Sequence, residues 1–458
     1  MFADTPNTTY NNKKSADGKK LNLKMEDGST IFVTYNKNIA DITGYQKLNS
    51  YSDLSSLLGK RVKLDPSSNS KKYKIEKVLR GKLELDKNVN LDDATTPYNR
   101  LEYLSSWVKV NSGVNMTSNS ANKVAIFQGN TKREAGSKLS APKADDVQVL
   151  NNGNITLTGK NSAGLATSFG TVTNAGNISS TGENGVGIYA ADSSIVKNTG
   201  SIEVGAKGTA IFAENDLKIG GNSTAISNNK DINVTNTGTI KAKDNSTGTY
   251  GIYAKNDKTN YANATSTVKH SGNIDLSNAK SSVGIYTENS ALTSSGNVSV
   301  GKDSIAVSAK NSDVDVTAGT YNINKSIAFK ITDLGSKTFK GNAGTLNLGE
   351  DSIAYYLKNS NITSSNFIDK LAINPTGKYT YLYAEDSIVN YKNQKTINSD
   401  GSIFAYAKNS DVTFETGNDI SSNNKKVTGI FSENTVAGKN IINKGKINLL
   451  GTGSLGIY

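Results

Sequence analysis

Acidic side chains and one histidine are the residues of this sequence whose types suit catalysis. Hydrolysis of a glycosidic bond requires two carboxyl groups about 5–10 Å apart, one of them with a raised pKa. Glu214 and Glu288 are candidates for such a pair, but Lys255 lies between them in the order of the repeats. The only histidine, His270, has no cysteine to accompany it and no local Ser/His/Asp motif around it. His270 also takes the place that Asn has in sister turns, so we predict a turn residue, no catalytic residues and no cofactor.

Asn or Asp recurs at one position of successive repeats, and we call this set the Asn/Asp column. It is the second candidate for a chemical function, because carboxylate oxygens bind calcium. Seven of its ten members are neutral Asn, and the glycine-rich Asp nonapeptide of calcium-binding β-rolls is missing. We therefore predict no metal site, but a turn at positive φ with side-chain amides hydrogen-bonded from one repeat to the next. The members of this Asn/Asp column are Asp192, Asn215, Asn256, Asn289, Asn311, Asp333, Asn359, Asp386, Asn409 and Asn434.

Short repeats position these residues. The phrase Gly-Ile-Tyr-Ala-Ala-Asp-Ser at 187–193 returns along the chain, and we call the position of its tyrosine the anchor. Anchors fall at positions 166, 189, 212, 253, 286, 308, 330, 356, 383, 406, 431 and 458, in steps of 22 to 41 residues. A second phrase, Asn-x-Gly-x-Ile, precedes many anchors and supplies a tight turn followed by a short strand. Turn, strand, turn and strand without a helical period predict an all-β parallel β-helix, that is, a solenoid.

The direction of the side chains follows from alternation along a strand. The position before each anchor is apolar in every repeat, as in Leu165, Ile188 and Ile211, so we predict that it faces the interior. The anchor then faces outward, and it is Tyr or Phe in nine of twelve repeats. Two positions after the anchor, Glu and Lys largely alternate, which predicts ion pairs between repeats about 4.8 Å apart.

The outward aromatic residues form what we call the aromatic stripe. Two interpretations remain open, because stacked rings stabilise a sheet and because tyrosine also suits a track that binds sugars or protein. Two longer repeats add polar loops at 216–233 and 257–268, and the second contains Tyr261. The candidate ligand-binding residues are Tyr261 and the stripe members Tyr189, Phe212, Tyr253, Tyr286, Tyr356, Tyr383 and Tyr406; Phe431 completes the stripe.

The first 145 residues have a different sequence pattern from the repeats. We expect a flexible or connecting segment at 1–19, a small α+β unit at 20–110, a bridge at 111–145, and repeats at 146–458 that are cut off at their C-terminal end. Within the α+β unit, the pattern predicts a hairpin around Glu26-Asp27-Gly28, a helix within 39–59 and a second hairpin over 72–86. A Lys-rich face of that second hairpin is typical of a solvated surface.

The composition of the chain excludes some classes of function. Only 35% of the residues are hydrophobic, 42 are Gly and none is Cys, so disulfides and thiolate chemistry are excluded. The net charge of +12 divides into +9 for residues 1–145 and +3 for residues 146–458, so we expect no nucleic-acid partner for the repeats. No stretch approaches 18 apolar residues, and the start lacks the pattern of a signal peptide. The last phrase stops in mid-repeat, which suggests a piece of a longer chain.

The two phrases that alternate through residues 151–458 resemble the passenger repeats of type V autotransporter adhesins. The Lys/Asn-rich composition is most similar to the very large adhesins of fusobacteria, which include galactose-inhibitable and arginine-inhibitable members. The resemblance covers about two-thirds of the chain. It implies a right-handed β-helix displayed on the bacterial cell surface and attached to the outer membrane only through a C-terminal barrel outside these residues. It also implies a monomer that adheres to host cells or other bacteria through glycan receptors, galactose/GalNAc-type ones among them, or protein receptors.

Two alternatives stay open. The chain is a structural stalk that displays a binding tip located elsewhere, or it is a β-helix enzyme that degrades polysaccharides.

Overall fold

The computed structural model describes residues 107–458 except 130–147, 169, 192–193, 216–230, 257–265 and 434–435. Upstream it describes the short segments 9–10, 20–24, 30–34, 46–47, 62–65, 74–79, 81–85, 88–92 and 100–104. Every regular element among these residues is a strand. The chain divides into two compact units, Met1–Asn233 and Val234–Tyr458.

Each turn of the fold consists of three strands joined by tight turns. Val186–Ala191 carries the anchor, Ile195–Asn198 follows it, and Ser201–Val204 completes the turn before the next anchor strand, Thr209–Asn215. Each of these strands pairs in parallel with its equivalent in the neighbouring turn. We call the three resulting sheets the anchor sheet, the second sheet and the third sheet. The predicted parallel β-solenoid is confirmed, while its right-handedness stays a prediction.

The first unit contains these strands. Its anchor sheet holds Val62–Asp65, Lys74–Leu79, Arg100–Leu104, Val124–Gly129, Ala163–Ser168, Val186–Ala191 and Thr209–Asn215. Its second sheet holds Lys20–Lys24, Thr30–Thr34, Gly81–Leu85, Trp107–Val110, Gln148–Asn151, Thr171–Asn174 and Ile195–Asn198. Its third sheet holds Val89–Asn90, Asn115–Ser118, Asn154–Leu157, Asn177–Ser180 and Ser201–Val204. Thr9–Tyr10 and Gln46–Lys47 form a separate antiparallel pair.

The second unit follows the strand Asn233–Asn236. Its anchor sheet holds Tyr250–Asn256, Val283–Glu288, Ile305–Lys310, Ile327–Thr332, Ser352–Lys358, Tyr379–Glu385, Ile403–Lys408, Thr428–Glu433 and Leu455–Ile457. Its second sheet holds Ser266–His270, Ser290–Ser294, Asp313–Val316, Phe339–Gly341 and Phe367–Asp369. Its third sheet holds Thr239–Ala242, Asn273–Leu276, Asn297–Val300, Thr320–Ile323, Thr345–Leu348 and Ala372–Pro375.

Beyond these turns the second and third sheets of the second unit restart as new sheets. The restarted second sheet contains Asn361–Ile362, Ile388–Tyr391, Asp411–Phe414 and Ile441–Asn443. The restarted third sheet contains Lys395–Thr396, Asp419–Ser422 and Lys446–Leu449. The anchor sheet has no such break, because Ser352–Lys358 pairs with Tyr379–Glu385 and that strand with Ile403–Lys408.

The register of the anchor sheet confirms the predicted columns. Leu165 lies opposite Ile188 and Ile188 opposite Ile211, and all three side chains are fully buried. In the second unit the same buried column passes from Ile252 to Ile430. Small residues such as Ala190 and Ala213 flank it and are buried too. The core is therefore a thin layer of apolar side chains stacked from turn to turn, and in the second unit it includes large aromatic rings such as Phe329 and Tyr355.

Buried serines close the corners at both ends of the anchor strand. The backbone N–H of Ser282 donates to the hydroxyl of Ser304 at 3.0 Å, and the N–H of Ser360 to the hydroxyl of Ser387 at 3.1 Å. The next turn repeats each contact, at Ser326 and at Ser410. Since a corner interrupts the backbone ladder, these hydroxyls supply the partners that buried N–H groups require.

Glycine is required where the turns of the second phrase stack. A Cβ added to Gly200 would lie 2.0 Å from the carbonyl oxygen of Gly176, the equivalent residue one turn earlier. This contact explains the glycine of the Asn-x-Gly-x-Ile phrase, because only a residue without a side chain lets the two backbones approach so closely.

The N-terminal predictions have mixed outcomes. Lys20–Lys24 and Thr30–Thr34 pair antiparallel, which confirms the first hairpin. The second hairpin, over 72–86, is wrong: Lys74–Leu79 pairs in parallel with Arg100–Leu104, whereas Gly81–Leu85 pairs in parallel with Trp107–Val110 in a different sheet. The strands that end at Leu79 and begin at Gly81 therefore belong to two different sheets and do not form a reversal.

The structure bears on two further predictions about this region. Of the predicted helix within 39–59, only Gln46–Lys47 is described, and it forms a strand; the rest lies outside the described residues. Parallel pairing also occurs upstream of residue 146, since Trp107–Val110 pairs with Gln148–Asn151 and Asn115–Ser118 pairs with Asn154–Leu157. The division of the chain into four segments otherwise stays a prediction.

Candidate functional site

The aromatic stripe consists of rings stacked face to face along the anchor sheet. Ring centroids lie 5.4 Å apart for Tyr189 and Phe212, and 4.8 Å apart for Tyr253 and Tyr286. A longer stack runs from Tyr356 through Tyr383, Tyr406 and Phe431 to Tyr458, with centroid distances of 4.8 to 5.1 Å. All of these rings are half-buried except that of Tyr458, which is exposed. Because most ring faces contact another ring, the stripe offers mainly ring edges to solvent.

Three hydroxyl groups of the stripe donate to glutamates of the Glu/Lys column, which lies two positions after the anchor. Tyr286 donates to Glu288 Oε2 at 2.7 Å, Tyr356 donates to Glu385 and Tyr406 donates to Glu433. Two of these carboxylates also accept from lysines of neighbouring turns, Glu288 from Lys310 at 3.1 Å and Glu385 from Lys358 at 3.3 Å. The predicted ion pairs are confirmed at these two positions, and the stripe and the charged column form one network.

This network sets the protonation of its members. The hydrogen bond from Tyr356, together with Lys358, lowers the pKa of Glu385. Burial raises the pKa of Glu288, but the hydrogen bonds from Tyr286 and Lys310 outweigh it and leave that pKa below its usual value. The hydrogen bond to Glu433 raises the pKa of Tyr406 to about 12. A glycosidase acid requires a raised carboxyl pKa, so Glu288 and Glu385 are suited to accept hydrogen bonds and not to donate a proton.

His270 lies in an inner column of amides, where it takes the place that Asn has in neighbouring turns, as predicted; it is the last residue of the strand Ser266–His270 and not a turn residue. Its Nδ1 accepts a hydrogen bond from the side-chain amide of Asn236 at 3.1 Å, and its Nε2 lies 3.2 Å from the carbonyl oxygen of Asn297. In the first unit the amides of Asn151, Asn174 and Asn198 make the same column, with steps of 2.8 Å. Burial lowers the pKa of His270, and its hydrogen bonds offset only part of this effect. These contacts assign the proton of the neutral ring to Nε2.

The Asn/Asp column is a turn column over most of its described length. Its members Asn289, Asn311, Asp333, Asn359, Asp386 and Asn409 have φ between 45° and 53°. Each donates its backbone N–H to the next turn, and the Asn311 amide donates to Asn289 Oδ1 at 2.7 Å. The prediction is wrong for Asn215 and Asn256, which end anchor strands without positive φ and are fully buried. Asp192 and Asn434 lie outside the described residues.

No metal site was found where the structure describes the chain. In those residues no three His, Cys, Asp or Glu side chains come together in a group that holds a metal ion.

A polar groove on the third sheet of the second unit is a surface feature that sequence reasoning missed. It has a volume of about 760 Å³ and is lined by residues of five consecutive turns. Asp275, Ser299, Asn322 and Asn347 lie opposite one another on the strands of four of these turns, and Thr376 of the fifth follows the strand Ala372–Pro375. We call this feature the polar groove.

The floor of the polar groove is a ladder of amides. Asn347 donates to Asn322 Oδ1 at 2.7 Å, and Asn322 donates to the Ser299 hydroxyl at 2.8 Å. Asn374, one turn further on, donates to Asn347 Oδ1 at 2.9 Å. Each amide also carries a second N–H and oxygen lone pairs beyond those used in the ladder. The signal in the sequence was the polar residue after each buried apolar one, as in Tyr321-Asn322 and Leu346-Asn347.

Glycines and charged residues form the sides of the polar groove. Gly301 and Gly349 line it without side chains, while Lys302 and Glu350 are exposed at its edge. Glu350 contacts Lys378 at 3.5 Å, so its charge is partly compensated. The groove is thus lined mainly by neutral hydrogen-bonding groups.

The remaining candidate residues are not brought into this groove. Tyr261 and most of the two polar loops lie outside the described residues. The stripe belongs to the anchor sheet, whereas the polar groove belongs to the third sheet. Whether the stripe binds a ligand stays a prediction.

Comparison with known proteins adds no relative. The chain matches no protein-family model, no curated protein and no solved structure. Among the described residues no helix is long and apolar enough to span a membrane.

Proposed function

We propose that this chain is part of the extracellular passenger of a bacterial surface adhesin, and that it binds a glycan through the polar groove. The groove is the observation that carries the proposal, since its lining gathers amide, hydroxyl and carboxylate groups from five turns on one surface. A sugar presents neighbouring hydroxyl groups, and side-chain amides pair with them because each amide offers both a donor and an acceptor.

The dimensions of the polar groove favour a linear ligand. Strands in neighbouring turns lie about 4.8 Å apart, so five turns extend over about 19 Å. That length accommodates several sugar units in a row. The neutral amide ladder of the groove favours an uncharged glycan. Receptors of the galactose or GalNAc type, which the resemblance to autotransporter adhesins implies, are uncharged glycans of this kind.

The aromatic stripe supports the scaffold in this proposal. Three of its hydroxyls are bonded to Glu288, Glu385 and Glu433, and its rings are stacked on each other. A ligand that used these groups would have to displace contacts that the protein already makes. We therefore assign receptor contact to the groove and rigidity to the stripe.

A stalk is the second candidate function. The repeating network of tyrosine, glutamate and lysine favours it, because a surface that satisfies its own polar groups suits a passive spacer. A stalk and an adhesin differ in whether the folded chain itself retains a ligand.

A glycan array probed with the whole chain tests the proposal. We expect retention of neutral linear glycans, and loss of that retention in Asn322→Tyr, which fills the groove from an exposed outward position. Thr156→Tyr is the matched control, since Thr156 is also exposed on the third sheet and follows a buried residue, Ile155, as Asn322 follows Tyr321.

Three outcomes decide between the candidate functions. Retention by the native chain and by Thr156→Tyr but not by Asn322→Tyr supports the groove. Retention that survives in a folded Asn322→Tyr moves the site elsewhere. If the folded native chain retains no glycan and does not block attachment of bacteria to target cells, the stalk is the better description.

A further inference from the structure

The second sheet of the second unit splits at one turn and leaves a cavity. Phe367–Asp369 pairs with Phe339–Gly341 on one side only. The strand of the next turn, Ile388–Tyr391, pairs with Asn361–Ile362 instead. A cavity of about 220 Å³ lies at this split, lined by residues from 363–370 on one side and 390–393 on the other. This split is the only break of its kind along the described turns of the second sheet.

A buried carboxylate lies at the cavity, and its charge is compensated. Asp369 accepts a hydrogen bond from the Tyr355 hydroxyl at 2.6 Å, and its side chain is fully buried. Lys395 Nζ lies 2.8 Å from Asp369 Oδ2 in an ion pair, and 5.2 Å from the centre of the Tyr381 ring. Since a buried charge requires such partners, Asp369 and Lys395 together contribute little net charge to the cavity.

Two lysines then decide the electrostatic character of the cavity. Lys370 and Lys392 line it from opposite sides of the split, and both are exposed. Neither forms an ion pair with any residue that the structure describes. Two uncompensated ammonium groups at one small cavity attract an anion.

The rest of the lining suits a sugar ring. The Asn390 amide and the Ser364 hydroxyl have no hydrogen-bond partner among the described residues, whereas Thr363 is engaged by Ser365 and Asn366. The ring of Phe367 and the side chain of Ile368 add apolar surface beside these polar groups. A pocket for a drug-sized molecule is usually about 300–1,000 Å³, so a cavity of this size takes a single ring.

We propose that this cavity binds one acidic sugar residue, such as a uronic or sialic acid. The carboxylate lies against Lys370 and Lys392, and the ring hydroxyls pair with Asn390 and Ser364. This site is separate from the polar groove and does not depend on the proposed function of that groove.

Titration calorimetry with the whole chain tests the site, with N-acetylneuraminate and glucuronate as probes and glucose and inorganic phosphate as comparisons. We expect the acidic sugars to bind more tightly than glucose, and to bind more weakly as salt is raised. Removal of both ammonium groups in Lys370→Ala/Lys392→Ala is expected to weaken binding by about tenfold or more. Lys340→Ala is the matched control, because Lys340 is exposed on the same sheet one turn earlier and does not line the cavity.

The outcomes separate a sugar site from a general anion site. Binding that is retained in Lys340→Ala and lost in the double variant supports the proposal. Equal binding of glucose, or of phosphate, overturns the assignment to acidic sugars. Absence of acidic-sugar binding, or unchanged binding in the double variant, overturns the site. All substituted side chains are exposed, so an unchanged thermal unfolding midpoint verifies that each variant is folded.

Discussion

The hydroxyl of Tyr286 donates a hydrogen bond of 2.7 Å to Oε2 of Glu288, two residues later on the same strand. Both side chains face outward, and Glu288 also accepts from Lys310 of the next turn. This contact joins the aromatic stripe to the charged column, so that an outward surface stabilises the stack of turns. It also means that the hydroxyl of Tyr286 already has a partner.

Removal of that hydroxyl in Tyr286→Phe is expected to lower the free energy of unfolding by about 1–2 kcal/mol, because a hydrogen bond to a charged group is lost while the ring stack remains. Urea titration monitored by circular dichroism measures the change. The matched control is Tyr383→Phe, since Tyr383 is stacked between Tyr356 and Tyr406 and its hydroxyl has no hydrogen-bond partner among the described residues. Equal effects of the two substitutions would contradict the role of the hydrogen bond.

His270 is expected to make stability depend on pH near neutrality. Burial lowers its pKa in the folded state, so the unfolded chain binds the proton more readily. The stabilising contribution is complete above the unfolded pKa of about 6.5 and decreases as the pH falls toward the folded pKa. His270→Asn, which restores the amide of sister turns, is expected to remove this dependence between pH 5 and 7, about the range in which a histidine titrates. Unfolding midpoints of both proteins across this range provide the measurement, and parallel curves would refute the assignment.

Truncation of a core side chain in Ile188→Ala is expected to lower the free energy of unfolding by about 2–5 kcal/mol, because Ile188 is fully buried between Leu165 and Ile211 of the adjacent turns. Thr156→Ala, at an exposed position, is expected to change the free energy of unfolding by less than about 0.5 kcal/mol. The midpoints of denaturant-induced unfolding compare the stability of the two variants. A small effect of Ile188→Ala would show that the column contributes little to the core.

A methyl group at Gly200 is expected to force neighbouring turns apart. The added Cβ would approach the Gly176 carbonyl oxygen to 2.0 Å, and such overpacking costs about 1–3 kcal/mol or more. At Gly456 the same change meets no atom within 4 Å, so Gly456→Ala serves as the control. The midpoints of thermal unfolding compare the two variants. Similar midpoints would indicate that the turns move apart without loss of stability.

Several features of the fold follow from the sequence alone. The repeat interval predicted stacked turns, and alternation within each anchor phrase placed Ile188 inside and Tyr189 outside, as the structure has them. The charge alternation predicted the pair of Lys310 and Glu288. These predictions succeed because in a parallel stack the same position of every turn forms one column, so residue type reports the environment directly.

The hairpin over 72–86 shows the limit of this reasoning. Two short strands around Arg80-Gly81 have the same local pattern whether the chain reverses or turns a corner between sheets. Only the parallel partners, Arg100–Leu104 and Trp107–Val110, distinguish the two cases. These partners lie more than twenty residues away, so no local pattern contains the information.

The sequence by itself determined which side chains face the core, which face solvent and which form columns, because strand alternation and stacking repeat one environment in every turn. Tertiary structure alone decided where those columns produce a surface that can hold a ligand. The polar groove depends on pairing that places Asp275, Ser299, Asn322 and Asn347 side by side, with Thr376 of a fifth turn on the same lining. The cavity at Asp369 depends on a strand that fails to find a partner in the next turn. Both are properties of pairing between distant segments, and pairing is settled only when the whole stack packs together.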